Sequence, residues 1–126
     1  MARRILVKAG GVEVAAELKN TMTAQVVWEA LPIKGYVNLW GDEIYFTVPI
    51  GLELENAQES VTIGDLGYWP QGPALCIFFG PTPISEGQEI RPASAVSVFG
   101  RVIGDTTVLR QVSSGTEIVL EKVAQA

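Results

Sequence analysis

The residues best suited to chemistry are aromatic and acidic, and they crowd the middle of the chain. The stretch GYWPQGPALCIFFGPTP, Gly67 to Pro83, sets Tyr68, Trp69, Phe78 and Phe79 close together and fences them with Pro70, Pro73, Pro81 and Pro83. Aromatic rings at that density make either a buried strand or one wall of a ligand pocket. Proton-transfer and covalent chemistry have less to work with. Histidine is absent, which removes the commonest general base, the commonest zinc ligand and every Ser-His or Cys-His dyad. Cys76 is the only cysteine, so no internal disulfide or Cys-rich metal cluster forms. Its neighbours Leu75 and Ile77 mark it as an inert strand thiol, because a reactive thiolate needs a cationic partner to lower its pKa.

The acidic run from Glu53 to Asp65 offers oxygen ligands, but it lacks the D-x-[DN]-x-[DN]-G spacing of a dedicated calcium loop and reads as a solvated face. No G-x-G-x-x-G, P-loop or G-x-S-x-G is present, and no Ser stands three residues before a Lys. No metal or cofactor is implied. A carboxylate pair could do acid–base work, but the 14 acidic residues give too many pairs to choose among.

The elements that must position these residues are mostly strands. RRILVKA and VEVAAEL flank Gly10-Gly11, a hairpin signal. In NTMTAQVVWEALP, Asn20 or Thr21 caps a helix whose apolar face carries Ala24, Val27, Trp28 and Leu31, and Pro32 stops it. YVNLW and EIYFTV flank a second hairpin turn, Gly41-Asp42. VTI, ALCIFF, AVSVFGRVI and TEIVLEKV supply further strands. GPTPISEGQEIRPAS has the Pro and Gly content of a long ordered loop, and Asp105 caps a short helix through TTVLRQV. About eight strands and two short helices predict a mainly β, closed eight-stranded barrel. At 126 residues the chain is a single domain, 1–126.

Charge narrows the partners. Between Gly35 and Ile90 there is no Lys or Arg, while Asp42, Glu43, Glu53, Glu55, Glu59, Asp65, Glu86 and Glu89 all lie there. Such a surface repels phosphates, so no nucleic acid is expected. No apolar run approaches the ~20 residues of a membrane span, and the opening MARRILVKAGG is too short in apolar residues for a secretory leader. The chain reads as cytoplasmic. Its 48% hydrophobic content makes homo-oligomer formation plausible.

The order of hairpin, helix, hairpin, acidic loop, two strands, long loop, strand, short helix and final strand resembles the cyclophilins. SVFGRV is similar to their V-F-G-K-V strand, and CIFFG to the strand bearing their paired phenylalanines. WGDEIYF followed by GDLGYWPQGPALCIFFGPTP resembles a compact prokaryotic cyclophilin-like family with no assigned activity. The resemblance implies a substrate groove in which Phe79 faces the cleft, Tyr45 forms part of an apolar socket, and Trp69 either narrows the groove or plugs the barrel. Trp40 is then a cleft rim or a barrel cap, and Gln71 could hydrogen-bond a ligand carbonyl. True cyclophilins are prolyl isomerases whose third strand carries an Arg in F-H-R-I-I, and YVNLWGDEIYF has no basic residue. Losing such a donor costs about 10²–10³ in rate. The expectation is a non-catalytic module that binds a peptide or small apolar molecule. The alternatives are a weak isomerase using Arg91 as substitute donor, and a structural or regulatory subunit.

Overall fold

A computed structural model describes residues 3–123, so the first two residues of the opening MARRILVKAGG lie outside the description. The strands are β1 (Arg4–Ala9), β2 (Val12–Leu18), β3 (Ile33–Tyr36), β4 (Asn38–Leu39), β5 (Glu43–Thr47), β6 (Asp65–Trp69), β7 (Ala74–Phe78), β8 (Ser97–Ile103) and β9 (Glu117–Lys122). Helix α1 spans Met22–Ala30, and a 3-10 helix spans Thr106–Gln111. The sheet order is β3-β9-β1-β2-β8-β6-β7-β5-β4, with antiparallel pairing throughout. Only Val37 separates β3 from β4, so the two ends of the sheet are one run of chain and the barrel nearly closes on itself. Among the described residues nine strands stand where about eight are expected: YVNLW divides between β3 and β4, DLGYW adds β6, and VTI drops out. A Cβ on Gly35 of β3 would come within 2.9 Å of the Phe46 ring on β5, so glycine permits the close approach.

The local signals act as their chemistry requires. Gly10 takes φ +60° in the first hairpin, and Ala9 pairs with Val12 across it. The Thr21 side chain accepts from the Ala24 amide to cap α1, and Asp105 does the same for Thr107 at the 3-10 helix. Alternation then divides every strand. Ile44 and Phe46 of β5, Leu66 and Tyr68 of β6, Leu75 and Ile77 of β7 and Phe99 of β8 fill the barrel interior with residues of β1, β2 and β9. A second, smaller cluster lies on the other face, built from Val61, Cys76, Phe78, Ile90 and Val96. VTI forms no strand: Val61 makes only an isolated bridge to Ile90.

Two side chains, Glu55 and Tyr68, help to tie the acidic loop down. Glu55 accepts from the amides of Met22 and Thr23 at 3.0 and 2.8 Å and from the Thr23 hydroxyl at 2.7 Å. It therefore caps α1 from a distant segment rather than standing free in solvent. The Thr23 amide, then its hydroxyl, then the Met22 amide hold its carboxyl below the usual range, so this contribution is present above the unfolded pKa and fades on acidification. The second tie is Tyr68. Its buried hydroxyl donates to the Ile50 carbonyl at 2.7 Å and accepts from the Leu52 amide at 3.0 Å. Tyr68→Phe leaves both backbone groups without that partner and is expected to cost about 1–3 kcal/mol. Urea denaturation reads this as a lower midpoint at unchanged slope.

Candidate functional site

The hairpin of β4 and β5 is the first part of the site. Trp40 and Glu43 exchange backbone hydrogen bonds of 3.0 and 3.2 Å around Gly41-Asp42, and Gly41 takes φ +59°. The GPTP segment braces this tip: Asp42 donates to the Pro81 carbonyl, and Phe79 donates to the Asp42 carbonyl, each at 2.9 Å. A Cβ on Gly80 would lie 2.8 Å from that of Asp42, so only glycine lets the hairpin settle there. Arg110 adds an ion pair to Asp42 at 3.0 Å. The tip that carries Trp40 and Glu43 is thus held from two sides.

Strand parity does the rest. Tyr45 pairs with Cys76, and Glu43 with Phe78, so all four leave the sheet on the face opposite to the barrel interior. Trp69, at the end of β6, shares that face and is fixed by an indole hydrogen bond of 2.7 Å to the Ser94 hydroxyl. The segment holding Pro92, Ala93 and Val96 folds over the top. A Cβ on Gly67 would press within 3.1 Å of Val96 and 3.2 Å of Phe78, which is why this strand tolerates glycine at its centre. These residues enclose a cleft of about 250 Å³.

Of the residues expected at a cleft, Trp40, Tyr45 and Trp69 come together. Phe79 does not. It packs inside the barrel, and Phe78 takes the cleft-side cluster, because the register that pairs Phe78 with Glu43 turns Phe79 inward. Gln71 is exposed on the turn between β6 and β7 and is not part of the cleft lining. Arg91 lines a neighbouring hollow of about 300 Å³ with Glu59 and Ile84. Its guanidinium pairs with Glu89 at 3.0 Å, while its backbone is held by Ser85 and by the Thr82 hydroxyl. The two hollows share Pro92 and Ala93. Trp28, expected in the core, is only half-buried and lies between Arg3 and Lys122, whose cationic groups stand 5.1 and 4.8 Å from its ring centroid.

Sequence reasoning missed Glu43. It is 5% exposed, it lines the cleft, and its Oε1 is buried without a hydrogen-bond partner. Burial pushes its carboxyl up to about 7, and a hydrogen bond with the Cys76 thiol pulls the other way. Burial, then the Glu43 charge, pushes the Cys76 thiol well above its ordinary range, so the thiol is inert as a nucleophile. The signal that could have found Glu43 is the alternation Glu43-Ile44-Tyr45: once Tyr45 is placed in the cleft, Glu43 must follow. Among the described residues, no Lys or Arg lines the cleft.

The nearly closed antiparallel barrel with its two short helices is a cyclophilin-like fold. The chain belongs to the Cyclophilin-like family, whose model matches residues 3–121. It is 41% identical to the hypothetical protein AF2241 from Archaeoglobus fulgidus, whose solution structure superposes with a TM-score of 0.81 over 97% of this chain and 95% of that one. The structure of McbB in complex with tryptophan shares the fold at 16% identity and a TM-score of 0.74, with 97% of this chain matching 45% of that one. No curated protein matches.

Proposed function

We propose that the protein is a non-catalytic binding module that holds a small, largely apolar molecule or a peptide side chain in the cleft of Trp40, Tyr45 and Trp69. The observation that carries this reading is the cleft itself: three aromatic side chains and a mostly apolar lining around about 250 Å³, which has the chemistry of small-ligand sites and falls just under their usual size, so the ligand is a small one. Prolyl isomerase activity is the competing reading. It rests on Arg91, whose hollow shares two residues with the cleft. A twisted amide needs a donor aimed at it, whereas the Arg91 guanidinium is already engaged by Glu89.

Thermal shift against a metabolite and peptide panel tests the first reading. A ligand at about 100 times its Kd stabilises by about 2.7 kcal/mol, and Trp69→Ala should abolish the response. A proline-isomerisation assay on a short peptide tests the second, with no rate above background expected. Turnover that disappears in Arg91→Ala would restore the isomerase reading.

A further inference from the structure

Glu43 is a poor residue for a purely apolar cleft. A buried carboxyl oxygen without a partner is costly, and native structures retain such groups where something else satisfies them. Here Oε1 is that oxygen, the side chain lines the cleft, and the strand holding it is braced at Asp42 by Pro81 and Arg110. Trp40, Tyr45 and Trp69 supply aromatic walls, and aromatic faces attract cations as well as apolar groups. The lining contains no Lys or Arg to neutralise the carboxylate. Resting on the binding reading above, we propose that the cleft takes a small organic cation with an apolar body and at least one N–H, an amidinium or a primary ammonium, with Glu43 as its counter-ion.

The N–H requirement follows from the unpartnered oxygen, which needs a hydrogen-bond donor and not merely a charge. The apolar body follows from the remaining lining, Cys76, Pro92 and Val96. The aromatic rings bury that body while the carboxylate takes the charged end, so each half of the ligand meets its complement.

The titratable groups around Glu43 are few. Cys76 comes from β7 and Tyr45 lies along the same strand; β4, Trp69 and the 92–96 segment add no carboxylate or cation. The charges nearby are already paired: Asp42, next in the chain, with Arg110, and Asp65, on the same face of β6, with Arg101. A cation must bind the ionised form of Glu43, so binding expels a proton wherever the empty protein holds one. Affinity therefore weakens by about tenfold for each pH unit below 7, whereas a neutral ligand of the same shape is spared this loss.

Benzamidine, which stays protonated over this range, and acetophenone, its neutral counterpart without an N–H, are the probes. The indole N–H resonances of Trp40 and Trp69 report binding by NMR, and Trp28, between Arg3 and Lys122, is the internal reference. The expected result is that benzamidine shifts the two cleft indoles with the stated pH dependence. Glu43→Gln should weaken it at least about tenfold at pH 8, the loss of a charge-assisted contact, whereas acetophenone, whose carbonyl meets an amide donor in place of a carboxylate, should bind no more weakly. Benzamidine binding no tighter than acetophenone, or insensitive to Glu43→Gln, would overturn the proposal and leave the apolar binding reading standing. If neither probe moves Trp40 or Trp69, both fall.

Discussion

Glu43→Gln is expected to make the protein more stable at pH 8, by on the order of 3 kcal/mol, which for a domain of this size raises the melting temperature by on the order of 10 °C. The carboxyl titrates near 4.5 in the unfolded chain and is pushed up to about 7 in the folded one. Between those values the folded state binds the extra proton, so stability falls as pH rises through this window. Below 4.5 both states are protonated and the penalty vanishes; above 7 it is complete. The amide keeps the shape and removes the charge, so the gain should be largest above pH 7 and disappear near pH 4.5. Urea denaturation of both proteins across pH 4.5 to 8 reads the difference directly. A gain independent of pH would mean that the buried charge is not its source. Glu55 has the opposite sign: its lowered pKa makes it a group whose contribution is lost on acidification.

The second large effect separates two neighbouring rings. Phe78→Ala and Phe79→Ala should each cost about 3–5 kcal/mol, since both rings are buried, at 0% and 4% exposure. Their effects on the cleft should differ. Phe78 packs with Cys76 and Val96, against which Tyr45 and Trp69 rest, so its loss should weaken ligand binding at least about tenfold. Phe79 belongs to the barrel interior, and its loss should leave binding to the folded fraction unchanged. Phe78→Leu and Phe79→Leu keep the protein folded while preserving the contrast. Equal binding loss in both would contradict this division of the two faces.

Much of the frame is legible in the residues. Gly10-Gly11 and Gly41-Asp42 announce hairpins because their turns need positive φ, and Thr21 and Asp105 announce helix starts because their oxygens cap free amides. β6 is hidden because Gly67 and the following Pro70 read as breakers, although the glycine is there to admit Val96 and Phe78. The exchange of Phe78 and Phe79 turns on one residue of register, which pairing with β5 decides and composition does not. Glu43 escapes notice among 14 acidic residues because its alternation with Tyr45 gives its face but not its burial; the covering segment of Pro92 and Val96 lies about fifty residues further along the chain. Trp40, Tyr45 and Trp69 are marked out by the resemblance to the cyclophilins and not by any local pattern. Phe79, Gln71 and Arg91 are not separated from them without the three-dimensional register.

The continuity of β3 and β4 through Val37 has a further consequence for how any peptide could be recognised. Many sheet proteins capture partners by letting an extended segment zip along a bare margin, main chain against main chain. This barrel offers a margin of only four residues on β3 and two on β4, and the backbone joining them turns both margins into a seam. The same seam denies a template to aggregating copies. Whatever the protein holds is not held as an added strand of this barrel.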